Sequence, residues 1–280
     1  IRTQLVDMHN YAPDSTFIAT FQSAVDTVNA YVDQPIGTLT ETIRGIDGQV
    51  GPSTFIDLIH DAQLWAADAE VSLAAVLSPR DNVEAGTITM RHLFSIYKYE
   101  NLLYSIYMTA DEIRQYLEYG YSMQFATMHS ANDHMMNFLP ATDGQQPELA
   151  GISFNFTSAA GIRYEVDLRQ EAGHRVRLIS MSDGSAIDPQ RMYKVAINSY
   201  QYSGGGNFIP VGLGWDKEKL SSRTICNTAN DVRSYIAQYI SQRGSITPRL
   251  RGDWQVIPTD WVQKARERDL KILNGPSKYH

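Results

Sequence analysis

One cysteine, Cys226, stands among 280 residues, so neither an internal disulfide nor a Cys-x-x-Cys metal pair can form. Set in Thr224-Ile225-Cys226-Asn227 with no histidine beside it, it reads as a small packing residue and not as a nucleophile. A lone thiol fits the cytoplasm and equally an export route that makes no disulfides, which leaves the compartment open. No segment approaches the roughly 18 consecutive apolar residues of a membrane span, and no charged stretch leads into an apolar one at the start. Basic residues are outnumbered, 24 Lys and Arg against 31 Asp and Glu, for a formal net charge of -7. A nucleic-acid groove draws on clustered cations and is excluded. The one basic cluster, Lys264-Ala265-Arg266-Glu267-Arg268, carries an interleaved acid and reads as a solvated helix face. Neither a GxSxG elbow nor a GxxxxGK[ST] phosphate loop is present.

What is present is an ordinary globular composition, 43% hydrophobic and 20% charged, with length for one large domain or two small ones. Asp14-Ser15-Thr16 supplies cap residues for a helix with Phe17, Ile18, Phe21, Val25, Val28 and Val32 at helical spacing, expected to end at Pro35 and Gly37. Ser53 opens a second helix, Val71 to Val76 reads as a buried strand, and Leu102 to Met108 as another. Thr109 and Glu112 form a capping box for a helix to Tyr119. Residues 123–149 show no period and are expected to be a mobile surface excursion. Ile152 to Phe156 and Ile162 to Val166 read as two strands divided by a small-residue turn, and Arg175 to Met181 as the first arm of a hairpin through Asp183-Gly184. A strand from Val195, a helix from Asp231, a strand at Trp254 to Ile257 and a charged helix from Asp260 to Leu273 complete the chain. Helices and strands mix without βαβ alternation, so the expected class is α+β, a mixed layered α/β arrangement of mixed sheets covered by helices.

Chemistry is harder to find. Asp57, His60 and Asp61 share a helix and Asn132-Asp133-His134 lies in the excursion, but nothing completes a metal cluster around either, and both read as polar surface. The positive signal is aromatic. Tyr97-Lys98-Tyr99-Glu100-Asn101 precedes the strand at Leu102, a poor place for core packing, and Tyr200-Gln201-Tyr202-Ser203-Gly204-Gly205-Gly206-Asn207-Phe208 comes after the strand from Val195. A glycine turn between strands is the plainer account of the second segment. Two loops carrying exposed tyrosines beside Asn101 and Asn207 could also sandwich a flat base, because stacking on an aromatic face is worth about 1–3 kcal/mol per base and an amide both donates and accepts.

These residues, in this order, resemble the C-terminal, substrate-binding domain of the bacterial 5'-nucleotidase family, and especially its 2',3'-cyclic-nucleotide 2'-phosphodiesterase/3'-nucleotidase branch. The resemblance runs from Tyr31-Val32-Asp33-Gln34-Pro35-Ile36-Gly37 through Phe55 to Gln63, Ala69 to Ala75, Gly86 to Thr89 and Tyr97 to Leu103, and on to Tyr193 to Phe208. It implies that Tyr99 and Tyr200 are the stacking rings, Asn101 the base-contacting amide, and Gly204, Gly205, Gly206 and Asn207 the loop that lets backbone approach the nucleotide. Arg80 falls where the family has a Gly-Gly-Ile-Arg motif, although Ser78-Pro79 replaces the glycines here, and Gly206 stands where the 5'-nucleotidase branch has Asp, which favours the cyclic-nucleotide branch. Asp-x-His, Gly-Asn-His-Asp/Glu and Gly-His-x-His motifs are lacking, so no cofactor is expected in this chain and a two-metal site is expected in an N-terminal metallophosphoesterase domain. Residues 1–34 are then a linker segment and interdomain helix, and 35–280 the nucleotide-binding domain. The start on Ile1 fits a chain trimmed from a longer, exported polypeptide, periplasmic, cell-surface or secreted, inactive by itself. A stand-alone nucleoside-binding module without catalysis, and a tyrosine-rich protein-docking patch, remain as rival readings.

Overall fold

The computed structural model of the chain describes residues 3–140 and 147–275. Along the chain come helix α1 (Ser15–Val32), strands β1 (Pro35–Leu39) and β2 (Ile43–Arg44), helix α2 (Thr54–Ala67), strands β3 (Val71–Ala75), β4 (Asn82–Val83) and β5 (Gly86–Thr89), helix α3 (Met90–Ile96), strand β6 (Leu102–Thr109) and helix α4 (Ala110–Gln124). Strands β7 (Thr157–Ala160), β8 (Ile162–Asp167), β9 (Val176–Met181) and β10 (Met192–Asn198) come next, then helices α5 (Ser199–Tyr202) and α6 (Lys217–Arg223), strand β11 (Thr224–Asp231), helix α7 (Val232–Arg243), strands β12 (Ser245–Ile246) and β13 (Trp254–Ile257), and helix α8 (Thr259–Leu273).

A five-stranded mixed sheet in the order β11-β6-β10-β3-β7 is the centre of the molecule. Alternation along its inner strands sends Val195 and Ile197 to one face and Ala196 to the other, and likewise Val71 and Leu73 against Ala74. One face packs under α2 and α7 through Phe55, Ile59, Ile236 and Ile240. The other packs under α4 and the smaller sheet β13-β8-β9 through Ile113, Leu117, Tyr164 and Val166. Cover on both faces is why β3 and β10 are nearly continuous apolar runs. The α+β class with mixed sheets and covering helices is the one expected from the sequence.

Ser53 caps α2, its side chain accepting from Ile56 N, and the Thr109–Glu112 capping box opens α4 as expected. Several elements differ. Pro35 and Gly37 do not merely stop α1 but build β1, with Pro35 at the first position of the strand, where a missing N–H is tolerated. Helix α4 runs past Tyr119 to Gln124, because Tyr121 and Gln124 are also buried. The expected turn at 157–160 is itself a strand, buried at every position. Squeezed between β3 and the layers above and below, it has room only for small residues. The actual turn is Gly161, at φ +89, where a Cβ would lie 1.9 Å from Glu70 O. Residues 123–149 are not a surface excursion throughout, since Phe125, Met128, Met135 and Met136 are buried core; positions 141–146 of that stretch lie outside the described residues. Asp183-Gly184 does make a turn, Gly184 N donating to Met181 O at 3.0 Å, but β9 pairs backwards with β8 and not with a strand beyond the turn. Edge strand β11 was illegible because it is polar, and Cys226 on it is exposed and not packed. The C-terminal basic stretch is not simply solvated: Ala265 is core, Arg266 pairs with Asp47 and Arg268 donates to the carbonyls of Ala131 and Asp133.

Helix α1 stands apart from both cores. Of its apolar residues only Val32 is buried, while Phe17, Ile18, Phe21, Val25 and Val28 are exposed. Its C-terminal end is tied to α3, where Arg91 donates to Asp33 Oδ1 at 2.8 Å and Asn29 Oδ1 at 3.0 Å.

Candidate functional site

Strands β6 and β10 are antiparallel neighbours with Leu103 opposite Asn198. The segment entering β6 and the segment leaving β10 therefore emerge at one end of the sheet, and Leu102 N donates to Ser199 Oγ at 3.1 Å across the junction. Since β3 runs parallel to β10 and β7 antiparallel to β3, residues 76–81 and 153–156 emerge at that same end. In this way the topology gathers Tyr99, Asn101, Tyr200 and residues 204–207 from stretches about a hundred positions apart.

The tyrosines sort themselves by environment. Tyr97 is core, 1% exposed, which overturns the expectation that its segment avoids core packing; its hydroxyl accepts from Asn101 Nδ2 at 3.3 Å, and burial pushes that hydroxyl well above the usual tyrosine range. Tyr202 stacks on Tyr104 with centroids 4.0 Å apart and shares a hydrogen bond of 3.0 Å with Thr224 Oγ1. Both are structural. Tyr99 and Tyr200 instead remain 44% and 39% exposed, two large rings left open at a sheet end.

Beyond β10 the chain does not form a plain loop. Asn198 caps the short helix α5 by accepting from Gln201 N at 2.9 Å, and the chain then turns tightly through 205–207 into a wide turn at 208–212. Gly204 (φ 99), Gly206 (φ 69) and Asn207 (φ 62) all take left-handed backbone, which accounts for glycine at the first two and is tolerable for asparagine at the third. Gly205 is required for a different reason. A Cβ there would lie 2.5 Å from Tyr200 Cε2 and 2.6 Å from its Cδ2 and Cζ. The ring thus lies against bare backbone, its hydroxyl donates to Asn155 Oδ1 at 3.3 Å, and Phe154 sits edge-on at 6.4 Å. Beside it opens a cleft of about 300 Å³ whose walls include Tyr119, Met123, Asn155, Phe156, Tyr200 and Asn207. Asn155 was missed in the sequence, where it sat inside a supposed strand; its only signal was its place between two phenylalanines.

Arg80 is exposed and lines another cavity, of about 430 Å³, with Arg44, Ile46, Asn82 and Leu273. Neither tyrosine of the open pair borders that cavity.

The titratable groups singled out in the sequence serve the fold. His60 is buried, its Nδ1 2.9 Å from Ser72 Oγ and its Nε2 3.0 Å from Ser158 Oγ, with Ser72 Oγ donating on to Gln63 Oε1 at 2.9 Å. Burial pushes the imidazole down to about 3. Burial also raises the Asp57 carboxyl to about 6, although it accepts from Arg251 N at 2.9 Å. The expected polar helix face is thus a buried network joining α2 to β3 and β7. His134 is bound to Asp269, whose other oxygen accepts from Met135 N and Met136 N at 2.9 Å. Among the described residues no group of three His, Cys, Asp or Glu side chains is placed to hold a metal ion.

The fold and site define a layered α/β domain that presents an open aromatic pair beside a glycine turn at the end of its central sheet. Residues 35–211 match the sequence profile of the 5'-nucleotidase C-terminal domain, and the chain belongs to that family. The chain is 24% identical over 289 residues to the trifunctional nucleotide phosphoesterase protein YfkN of Bacillus subtilis (strain 168), covering 92% of itself and 18% of that relative. To the 2',3'-cyclic-nucleotide 2'-phosphodiesterase/3'-nucleotidase of Haemophilus influenzae it is 24% identical over 302 residues, 95% of this chain and 43% of the other. The 5'-nucleotidase precursor from Thermus thermophilus superposes with a TM-score of 0.65 at 22% identity, over 88% of this chain and 44% of its own. A putative 5'-nucleotidase from Staphylococcus aureus superposes with a TM-score of 0.68 at 18% identity, over 90% and 45%. These likenesses establish the fold, and the chain spans less than half the length of each of these relatives.

Proposed function

We propose that this chain is the nucleotide-recognition domain of a longer, exported phosphoric-ester hydrolase, a nucleotidase or 2',3'-cyclic-nucleotide phosphodiesterase, and that Tyr99 and Tyr200 hold the base between their rings. The observation that carries this is the pair of open tyrosines at one end of adjacent strands, Tyr200 bonded to Asn155 and Tyr99 two positions before Asn101. Support also comes from what does not reach the slot. Gly206 stands where the 5'-nucleotidase branch has an Asp for the ribose, and Gly205 lets the Tyr200 ring lie against bare backbone. The chain spans less than half the length of these relatives, which supports a separate N-terminal domain carrying the two-metal centre, with this domain binding and orienting the nucleotide. Residues 1–34 act as the linker to that domain, and the uncovered apolar face of α1 is the surface such a helix would turn toward it.

Calorimetry with adenosine and with 2',3'-cyclic AMP is the test. Tyr99→Ala and Tyr200→Ala are each expected to weaken binding by roughly 10- to 100-fold, the worth of one stacked ring. Unchanged affinity in either variant would sink the reading. A subtler result is expected from Gly205→Ala: the new methyl expels the Tyr200 ring from its seat, and since that ring is partly exposed it swings into solvent. Affinity falls about tenfold while the melting temperature moves by no more than about 3 °C. A Gly205→Ala protein that binds as well as the parent would show that the seated ring is not the one that binds.

A further inference from the structure

Among the described residues the Tyr99 side chain makes no hydrogen bond and no ring contact, and its neighbours in the loop are what other elements hold. Two groups do so from outside the loop, and both come from the first turn of α7. Val232 N donates to Asn101 O at 2.8 Å. Arg233 straddles the tyrosine: its Nη1 donates to Lys98 O at 3.3 Å and its Nη2 to Glu100 Oε1 at 3.1 Å. The guanidinium carbon lies 4.2 Å from the centroid of Phe94, on the helix that leads into the loop. The Arg233 side chain is only 11% exposed although that of Glu100 is 81% exposed. An exposed ion pair is worth little by itself. A planar fork held against a ring and bonded on both sides of one residue is a geometric device, because its five fixed donors set direction as well as distance.

We infer that Arg233 is a positioning residue for the base slot: by holding positions 98 and 100 it presents the Tyr99 ring to Tyr200 before the nucleotide arrives. The inference rests on the proposed base slot. A ring carried on an untethered loop must be ordered when ligand binds, and that ordering is subtracted from affinity. A tethered one is ordered in advance. Arg233 itself touches no nucleotide and acts only through Tyr99.

Calorimetry with adenosine on the full chain tests it. Arg233→Met keeps an unbranched stem over Phe94 and removes every donor; affinity is expected to fall about tenfold, or about 1.4 kcal/mol. Arg233→Lys keeps one cation able to reach Lys98 O and is expected to recover part of that loss. In a Tyr99→Ala background, Arg233→Met is expected to change affinity by less than about twofold, because two residues acting through one ring are not additive. Wild-type affinity in Arg233→Met, or an equal loss with and without Tyr99, would overturn the assignment. Should the methionine variant fail to fold, the lysine variant decides: affinity between that of the parent and Tyr99→Ala upholds the role, and parental affinity refutes it. The two readings fail separately. A silent Tyr99→Ala removes the base slot itself, whereas a damaging Tyr99→Ala with a silent Arg233→Met removes only the positioning role.

Discussion

Glu118→Ala is expected to cost the fold about 3–5 kcal/mol, the range for breaking a buried charged network by removing one partner. Glu118 lies inside α4, 5% exposed, and its two oxygens accept from Gly173 N at 2.8 Å, Arg175 N at 2.9 and 3.1 Å, and Val176 N at 2.7 Å. It therefore pins the chain just before and inside β9 to the helix above. The Arg175 guanidinium beside it is spent on the carbonyls of Gln170, Tyr121 and Phe125 and on Thr127 Oγ1. Burial lowers the Arg175 pKa and the charge of Glu118 counters that. Removing the carboxylate orphans three backbone N–H groups and leaves a buried cation with Glu171 alone to offset it. Urea denaturation should show the midpoint falling with little change in slope. A cost below about 1 kcal/mol would mean that water replaces the lost acceptor and that the carboxylate does not pin β9.

The second large effect is a reversal of pH dependence at His60. The folded imidazole takes its proton only near pH 3, whereas the unfolded one does so near 6.5. Between those values the unfolded chain binds more protons, so stability falls as pH drops, by up to about 1.4 kcal/mol per unit and on the order of 4 kcal/mol over the window. Asp57 opposes this. Its folded carboxyl protonates near 6 against 3.8 unfolded, so stability rises as pH falls from about 6 to about 4. In the parent chain the two slopes largely cancel there. His60→Gln removes one of them, and thermal melts are expected to show the variant gaining stability from pH 6 to pH 4, relative to the parent. The carboxylates that titrate lower are common to both proteins and drop out of the difference. Parallel pH profiles for the two would show that His60 is not held neutral.

Much of the fold was legible where a periodic pattern coincided with a cap. The Asp14, Ser53 and Thr109 caps and the apolar runs of β3, β6 and β10 were all visible, because each depends on neighbours in the chain. What stayed hidden depended on partners far away. Thr157-Ser158-Ala159-Ala160 looks like a turn, and only confinement between β3 and the covering layers makes it a strand. Met128, Met135 and Met136 have no period, yet they lie in the core, where Asp269 on the last helix satisfies the two amides at 135 and 136. For the site, glycines and tyrosines announced two segments, and strand pairing brought them to one end of the sheet. The sequence could not separate Tyr97 and Tyr202, which are packed, from Tyr99 and Tyr200, which are open. Nor could it show Asn155 or Arg233, whose neighbours lie 45 and 135 positions away.

The stacked pair Tyr104 and Tyr202 shows what the open pair avoids. Tyr104 stands on β6 and Tyr202 on the short helix α5, and their rings close on one another at 4.0 Å, leaving no gap for a guest. A base between two rings needs roughly twice the best carbon–carbon separation, about 7–8 Å. Tyr99 stands ahead of β6 and Tyr200 on α5 just past β10, so the sheet holds the roots of both without fixing the distance between their rings. The gauge of the proposed slot is then set by the segment 97–101, with its tether to α7, and by α5. Lengthening or shortening either by one residue would change that gauge.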